Sequence, residues 1–203
     1  MRLVIVDYGM GNIRSIISSL NYIGVSDVAV SSNYDILKAS DKLILPGVGS
    51  FGKAMNRIKE RNLDAYLHEF VIDYKKPILG ICLGMQLMGK SSNEDGDNDG
   101  LGFVENSVRK FETTTFKIPH VGFNQVMVTE DSRLYSGLNA NPDFYFTHSY
   151  RMMGEANINP SFCDYSEKFI ASFEKDNIAG VQFHPELSQR NGLNLLKNFI
   201  DKF

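Results

Sequence analysis

The chain has 203 residues, and its 21 Lys plus Arg stand against 24 Asp plus Glu for a net charge of −3. That length is read as one domain over residues 1–203; the slightly acidic balance argues against duplex binding, and 43% hydrophobic residues argue against disorder. No apolar run approaches the ~18 residues of a membrane span, the N-terminus lacks the pattern of a signal peptide, and the two distant cysteines, Cys82 and Cys163, read as reduced thiols in a cytoplasm.

The first half alternates strand and helix. Residues 3–6 form a continuous apolar run, as in a strand buried on both faces. Ile13, Ile16, Ile17, Leu20 and Ile23 then follow at helical spacing. Strands are predicted at 28–30 and 43–45, helices around 51–58 and 63–71, a further buried strand at 77–81 and a helix beginning at 86–88. This βαβα order implies a parallel sheet covered on both faces. The polar stretch "SSNEDGDNDG" at 91–100 divides the halves. Beyond it come short strands at 108–111, 126–128, 144–146, 170–173 and 178–183, partly antiparallel. A closing amphipathic helix uses Leu193, Leu195, Leu196, Phe199 and Ile200. The whole reads as one α/β domain.

Two motifs point to cofactors and fall short. "DYGMGNIRS" places Gly9 and Gly11 between strand and helix, but Arg14 occupies the third glycine position of a dinucleotide fingerprint. Its simpler reading is a tight turn with Asn12 exposed at a helix start. Asp95–Gly100 reads D-G-D-N-D-G like half a calcium loop, yet Asn106 stands where the bidentate Glu belongs. A solvated acidic loop is expected there. Neither a cofactor nor a metal is the expectation.

The strongest signal is "PILGICLGMQ". Cys82 lies between Gly80 and Gly84 at the end of a buried strand, the thiol counterpart of the nucleophile elbow G-x-S-x-G. Small neighbours let the chain turn sharply, and the following helix start aims N–H groups at the sulfur, favouring the thiolate. In "GVQFHPE", Pro185 separates His184 from Glu186. An extended segment would put imidazole and carboxylate on one face, suiting a base and its orienter. In "LILPGVGSFG", the glycine-flanked loop after strand 43–45 can offer backbone N–H groups to an oxyanion.

Together "PGVGSFG", "GICLGMQLM", "PHVGFNQV", "YFTHSY" and "GVQFHPELS" resemble the class I glutamine amidotransferases, and most closely the glutaminase subunits of imidazole glycerol phosphate synthase. The likeness runs over essentially the whole chain. It implies a three-layer α/β/α fold with a mixed, mostly parallel sheet. It also implies hydrolysis of glutamine to glutamate and ammonia through a thioester. Cys82 would be the nucleophile, His184 the proton shuttle and Glu186 its support. The oxyanion would be met by Leu83 and a donor from Val48–Gly49. Gln86, His148, Ser149 and Tyr150 fall where relatives hold glutamine. Ammonia would pass to a (β/α)8-barrel cyclase in a heterodimer, with Asn12, Phe123, Asn124 and Tyr145 on segments facing it. The family usually has tryptophan at Phe123, lysine at Leu187 and methionine at Val121. These departures keep open a paralogue that supplies ammonia to amidate a bacterial surface sugar. Other class I glutaminases, and a cysteine peptidase or esterase, are more distant alternatives.

Overall fold

A computed structural model describes residues 1–154 and 157–203. The first half runs β1 (Leu3–Val6), α1 (Ile13–Tyr22), β2 (Val28–Ser31), α2 (Tyr34–Lys38), β3 (Lys42–Leu45), α3 (Phe51–Glu60), α4 (Leu63–His68), a π-helical segment (Glu69–Asp73), β4 (Ile78–Ile81) and α5 (Leu83–Leu87). The second half runs β5 (Ser91–Ser92), β6 (Asn98–Asp99), β7 (Ser107–Lys110), β8 (His120–Gln125), β9 (Asp143–His148), β10 (Tyr150–Met153), β11 (Ser161–Tyr165), β12 (Glu167–Lys175), β13 (Ile178–Val181) and α6 (Gln189–Lys202).

The central sheet has seven strands in the order β2-β1-β3-β4-β13-β12-β11. The neighbours from β2 to β13 are parallel, whereas β12 is antiparallel to both β13 and β11. Strands β1, β3, β4 and β13 are buried throughout, which explains their unbroken apolar runs. Alternation divides their side chains between two cores. Val4, Val6, Leu43 and Leu45 pack with Phe51, Ile58 and Leu67 on one face. Leu3, Ile5, Ile44 and Ile81 pack with Ile16, Leu20, Leu195 and Phe199 on the other. Two helical layers therefore sandwich a mixed, mostly parallel sheet.

Several boundaries differ from the sequence reading. The strand expected at 126–128 lies earlier, at β8, and Met127 makes only an isolated bridge to Phe162. The β8–β9 hairpin exposes Val121 and Phe123, so apolar residues there do not mark the buried face. The helix expected from 86–88 is instead the short α5, which starts directly after Cys82. Helix α2 was too short for a periodic signal. Its start is set by Asn33, whose Oδ1 accepts from the N–H groups of Asp35 and Ile36. The polar stretch at 91–100 supplies β5 and β6 to a second sheet, ordered β10-β7-β5-β6.

Candidate active site

The parallel pairing of β4 with β13 builds the site. Val181 lies beside Ile81 in register, so the residues that follow, Gln182 and Cys82, leave the sheet side by side. The Cys82 N–H donates to Val181 O at 2.8 Å. Cys82 has φ 53° and ψ −110°, a costly conformation for a residue with a Cβ. The glycines around it answer a steric demand. A Cβ on Gly84 would lie 1.8 Å from Leu45 O, and one on Gly80 would lie 2.7 Å from Met85 N. Either would push the elbow off the sheet edge. Since α5 spans only five residues, its electrostatic help is confined to the unpaired N–H groups of its first turn. Leu83 is the first of these.

His184 and Glu186 meet differently from the expected extended arrangement. His184 is extended, but Pro185–Leu187 turns into a 3₁₀ helix. Proline suits that start because its missing N–H would have no partner. The turn brings His184 Nδ1 to 2.9 Å from Glu186 Oε1, with both side chains almost wholly buried. A carboxylate can only accept, so Nδ1 carries the proton. Nε2 is buried and makes no hydrogen bond of standard geometry among the described residues. Burial pulls His184 down, but the neighbouring Cys82 thiol and Glu186 carboxylate together outweigh it and raise the imidazole to about 10. The backbone is held from β9: His184 N–H donates to Tyr145 O at 2.9 Å, and Ser188 Oγ accepts from Tyr145 N–H at 2.9 Å while donating to His184 O at 2.6 Å.

These groups open on a cavity of about 380 Å³. Val48, Gly49, Cys82, Leu83, Gln86, His148, Ser149, Tyr150 and His184 all line it; Glu186 stands behind His184. The Tyr8 hydroxyl donates to Pro46 O at 2.7 Å and anchors the start of the Val48–Gly49 loop. On the opposite wall, His148 Nδ1–H donates to Tyr150 O at 2.8 Å, which leaves Nε2 to accept from His120 Nδ1–H at 3.1 Å. Burial lowers His148 to about 3 and His120 to about 4, so both rings are neutral.

Three contributors were not anticipated from sequence. Glu94 lines the cavity; its Oε2 accepts from Phe51 N–H at 2.9 Å, and burial raises its carboxyl above the ordinary range. It was hidden in the acidic stretch, where Asp95, Asp97 and Asp99 are exposed. Thr147 also borders the cavity, and its carbonyl lies 4.0 Å from Cys82 Sγ. Gln182 is wholly buried and donates from Nε2 to Cys82 Sγ at 3.7 Å. A lone amide in the apolar run 178–183 was the available signal.

Of the four residues expected to face a partner, Phe123 and Asn124 point to opposite sides of β8. Phe123 pairs with Tyr145 across the hairpin, their rings 5.6 Å apart, and Phe123 is half exposed. Asn124 points the other way, donating to Asp164 O at 3.0 Å, because adjacent strand residues face opposite sides. Asn12 sits at the start of α1, only partly exposed, and accepts from Ser15 Oγ at 2.9 Å.

Known proteins resemble this chain over its whole length. The family model for class-I glutamine amidotransferases matches residues 4–203. The imidazole glycerol phosphate synthase subunit HisH of Aquifex aeolicus is 44% identical, covering 100% of this chain and 97% of its own length. Subunit HisH 2 of Pseudomonas aeruginosa is 41% identical, covering 98% of each. Among solved structures, PurLQS from Thermotoga maritima superposes with a TM-score of 0.72 at 17% identity over 98% of this chain and 97% of that one, a likeness of fold. On that family match and those full-length identities, the chain belongs to the class I glutamine amidotransferase family, in its HisH-type branch.

Proposed function

We propose that this chain, acting as one domain, hydrolyses glutamine and passes the ammonia to a (β/α)8-barrel cyclase, which makes imidazole glycerol phosphate and the aminoimidazole carboxamide ribonucleotide of histidine biosynthesis. The observation that carries the chemistry is the convergence of Cys82, the His184–Glu186 pair and the Leu83 and Val48–Gly49 backbone on one cavity. The names of the full-length relatives support the pathway.

Cys82 attacks the side-chain carboxamide carbon, forming a C–S bond and an oxyanion. Leu83 N–H and a donor from Val48–Gly49 meet that charge; one such donor is worth roughly 10²–10³ in rate. His184 Nε2–H protonates the departing nitrogen as the C–N bond breaks, leaving a thioester. Water then adds to the thioester with His184 taking its proton, the C–S bond breaks, and glutamate leaves with the Cys82 thiolate restored. Glu186 fixes the imidazole throughout. Glu94 offers a carboxylate for the substrate's α-ammonium, and Gln86 and His148–Tyr150 form the wall that orients its other end. The cytoplasm is the compartment that keeps both thiols reduced.

The test combines this chain with a histidine-pathway barrel, glutamine and the ribonucleotide substrate. Glutamate release and imidazole glycerol phosphate are expected together. Diazo-oxo-norleucine or acivicin should attach at Cys82. Labelling at Cys163 would contradict the nucleophile. A second reading, ammonia supply for amidating a surface sugar, is favoured by one observation: Val121, Phe123 and Leu187, which depart from the family's usual residues, are all exposed. Glutamate release without imidazole glycerol phosphate in a folded complex would select it.

A further inference from the structure

The triad chemistry leaves Gln182 unused, yet its surroundings are specific. It is the one polar side chain in the run 178–183, it is 0% exposed, and a buried amide is costly unless its groups are bonded. Its orientation follows from its neighbours. Tyr150 O can only accept, so Gln86 presents Nε2 to it at 2.9 Å. The second hydrogen of that nitrogen goes to Gln182 Oε1 at 2.9 Å. Gln182 Nε2 is thereby left facing Cys82 Sγ at 3.7 Å.

We propose that Gln182 is a positioning residue of the glutaminase reaction: from inside the protein it donates to the Cys82 sulfur, and it ties that sulfur to the Gln86–Tyr150 wall of the substrate cavity. A thiol sulfur is a weak acceptor and a thiolate a charged one, so the bond is strongest when the sulfur is anionic. Low local polarity amplifies the difference. The attacking nucleophile is the thiolate, and thiolate leaves the thioester again. Gln182 thus serves both ends of the cycle without exchanging a proton, whereas His184 alternates between its two forms. It rests on the reading of Cys82 as the glutaminase nucleophile.

The experiment uses the full chain as wild type, Gln182→Met and Gln182→Asn. The first variant removes the donor at similar volume. The second keeps a polar amide one methylene short of the sulfur. The primary readout is the pH profile of Cys82 alkylation by iodoacetamide, which needs neither glutamine nor a partner. Both variants are expected to move the profile to higher pH by about one unit. With glutamine and the barrel partner, kcat should fall roughly ten- to a hundredfold, the range for one hydrogen bond to a charged group, with KM changed much less. An unmoved alkylation profile in either folded variant would overturn the proposal, even if kcat and thermal stability both fell, because that pattern is a packing defect. If Gln182→Met does not fold, Gln182→Asn carries the comparison. Wild-type chain that alkylates at Cys82 but never turns over glutamine would sink the glutaminase reading alone, and the alkylation profiles would still decide the role of Gln182 at the sulfur.

Discussion

Cys82 directly follows β4 and Cys163 lies in β11, two strands of one sheet separated by β13 and β12. Cys82 leaves the end of an interior strand on a strained turn, borders the cavity and has Gln182 and Thr147 at its sulfur. Cys163 sits within an edge strand, paired with Phe169, and among the described residues its sulfur finds only the carbonyl of the next residue, at 3.9 Å. Burial, helped by the Asp164 charge, pushes the Cys163 thiol up to about 12. Both are buried by area, so burial does not distinguish them. What differs is position along the strand. Inside the ladder, neighbours are set by sheet pairing. At the carboxyl end the backbone is free to turn, and a cavity, donors and a base can gather around one atom.

The widest separation should come from single substitutions. Cys82→Ala is expected to lower glutaminase turnover by at least about 10⁴-fold, measured as glutamate release with the partner present; Cys163→Ala should leave it unchanged. Comparable losses in both would erase the contrast. Glu186→Gln comes next, at about 10³-fold or more in kcat, since an amide in place of the carboxylate no longer dictates the tautomer of His184. Retained activity there would show that the 3₁₀ turn alone orients the ring.

The contrast extends to histidines, where surroundings again outweigh residue type. His120 and His148, lowered to about 4 and about 3, refuse protons that the unfolded chain accepts below about 6.5. Their contribution is present above that pH and is lost as pH falls. The stability of the folded chain at pH 5.5 should therefore lie about 2 kcal/mol below that at pH 6.5, read from urea unfolding. His184, raised to about 10, acts in the opposite direction. Its contribution is complete below about 6.5 and declines as pH rises toward 10. The smallest effect is Cys163→Ala on stability, a loss of about 1–2 kcal/mol from a small cavity, read in the same unfolding assay. A larger loss would assign Cys163 more than packing.

Much of the first half was legible because its signals are local. Strands β1, β3 and β4 are buried on both faces and announce themselves as apolar runs. The elbow is marked by glycines that the turn itself requires. The hairpin was harder: Val121 and Phe123 are apolar but exposed, so alternation pointed to the wrong segment. The expected extended HPE segment proved to be a 3₁₀ turn, because proline fixes its own φ and does not choose what the next residues pack against. Glu94 looked like one acid among several until the fold half-buried it against the N-terminus of α3.

The sequence by itself determined the parallel α/β order, the thiol elbow at Cys82 and the His184–Glu186 pair, because each depends on residue spacing within about ten positions. Only the tertiary structure decided that Gln182, 100 residues from Cys82, places an amide at its sulfur, that Glu94 enters the cavity, and that Asn124 turns away from Phe123. Those outcomes depend on strand register and on which face of each strand is covered. Contacts formed by pairing distant segments leave no periodic trace in either segment alone.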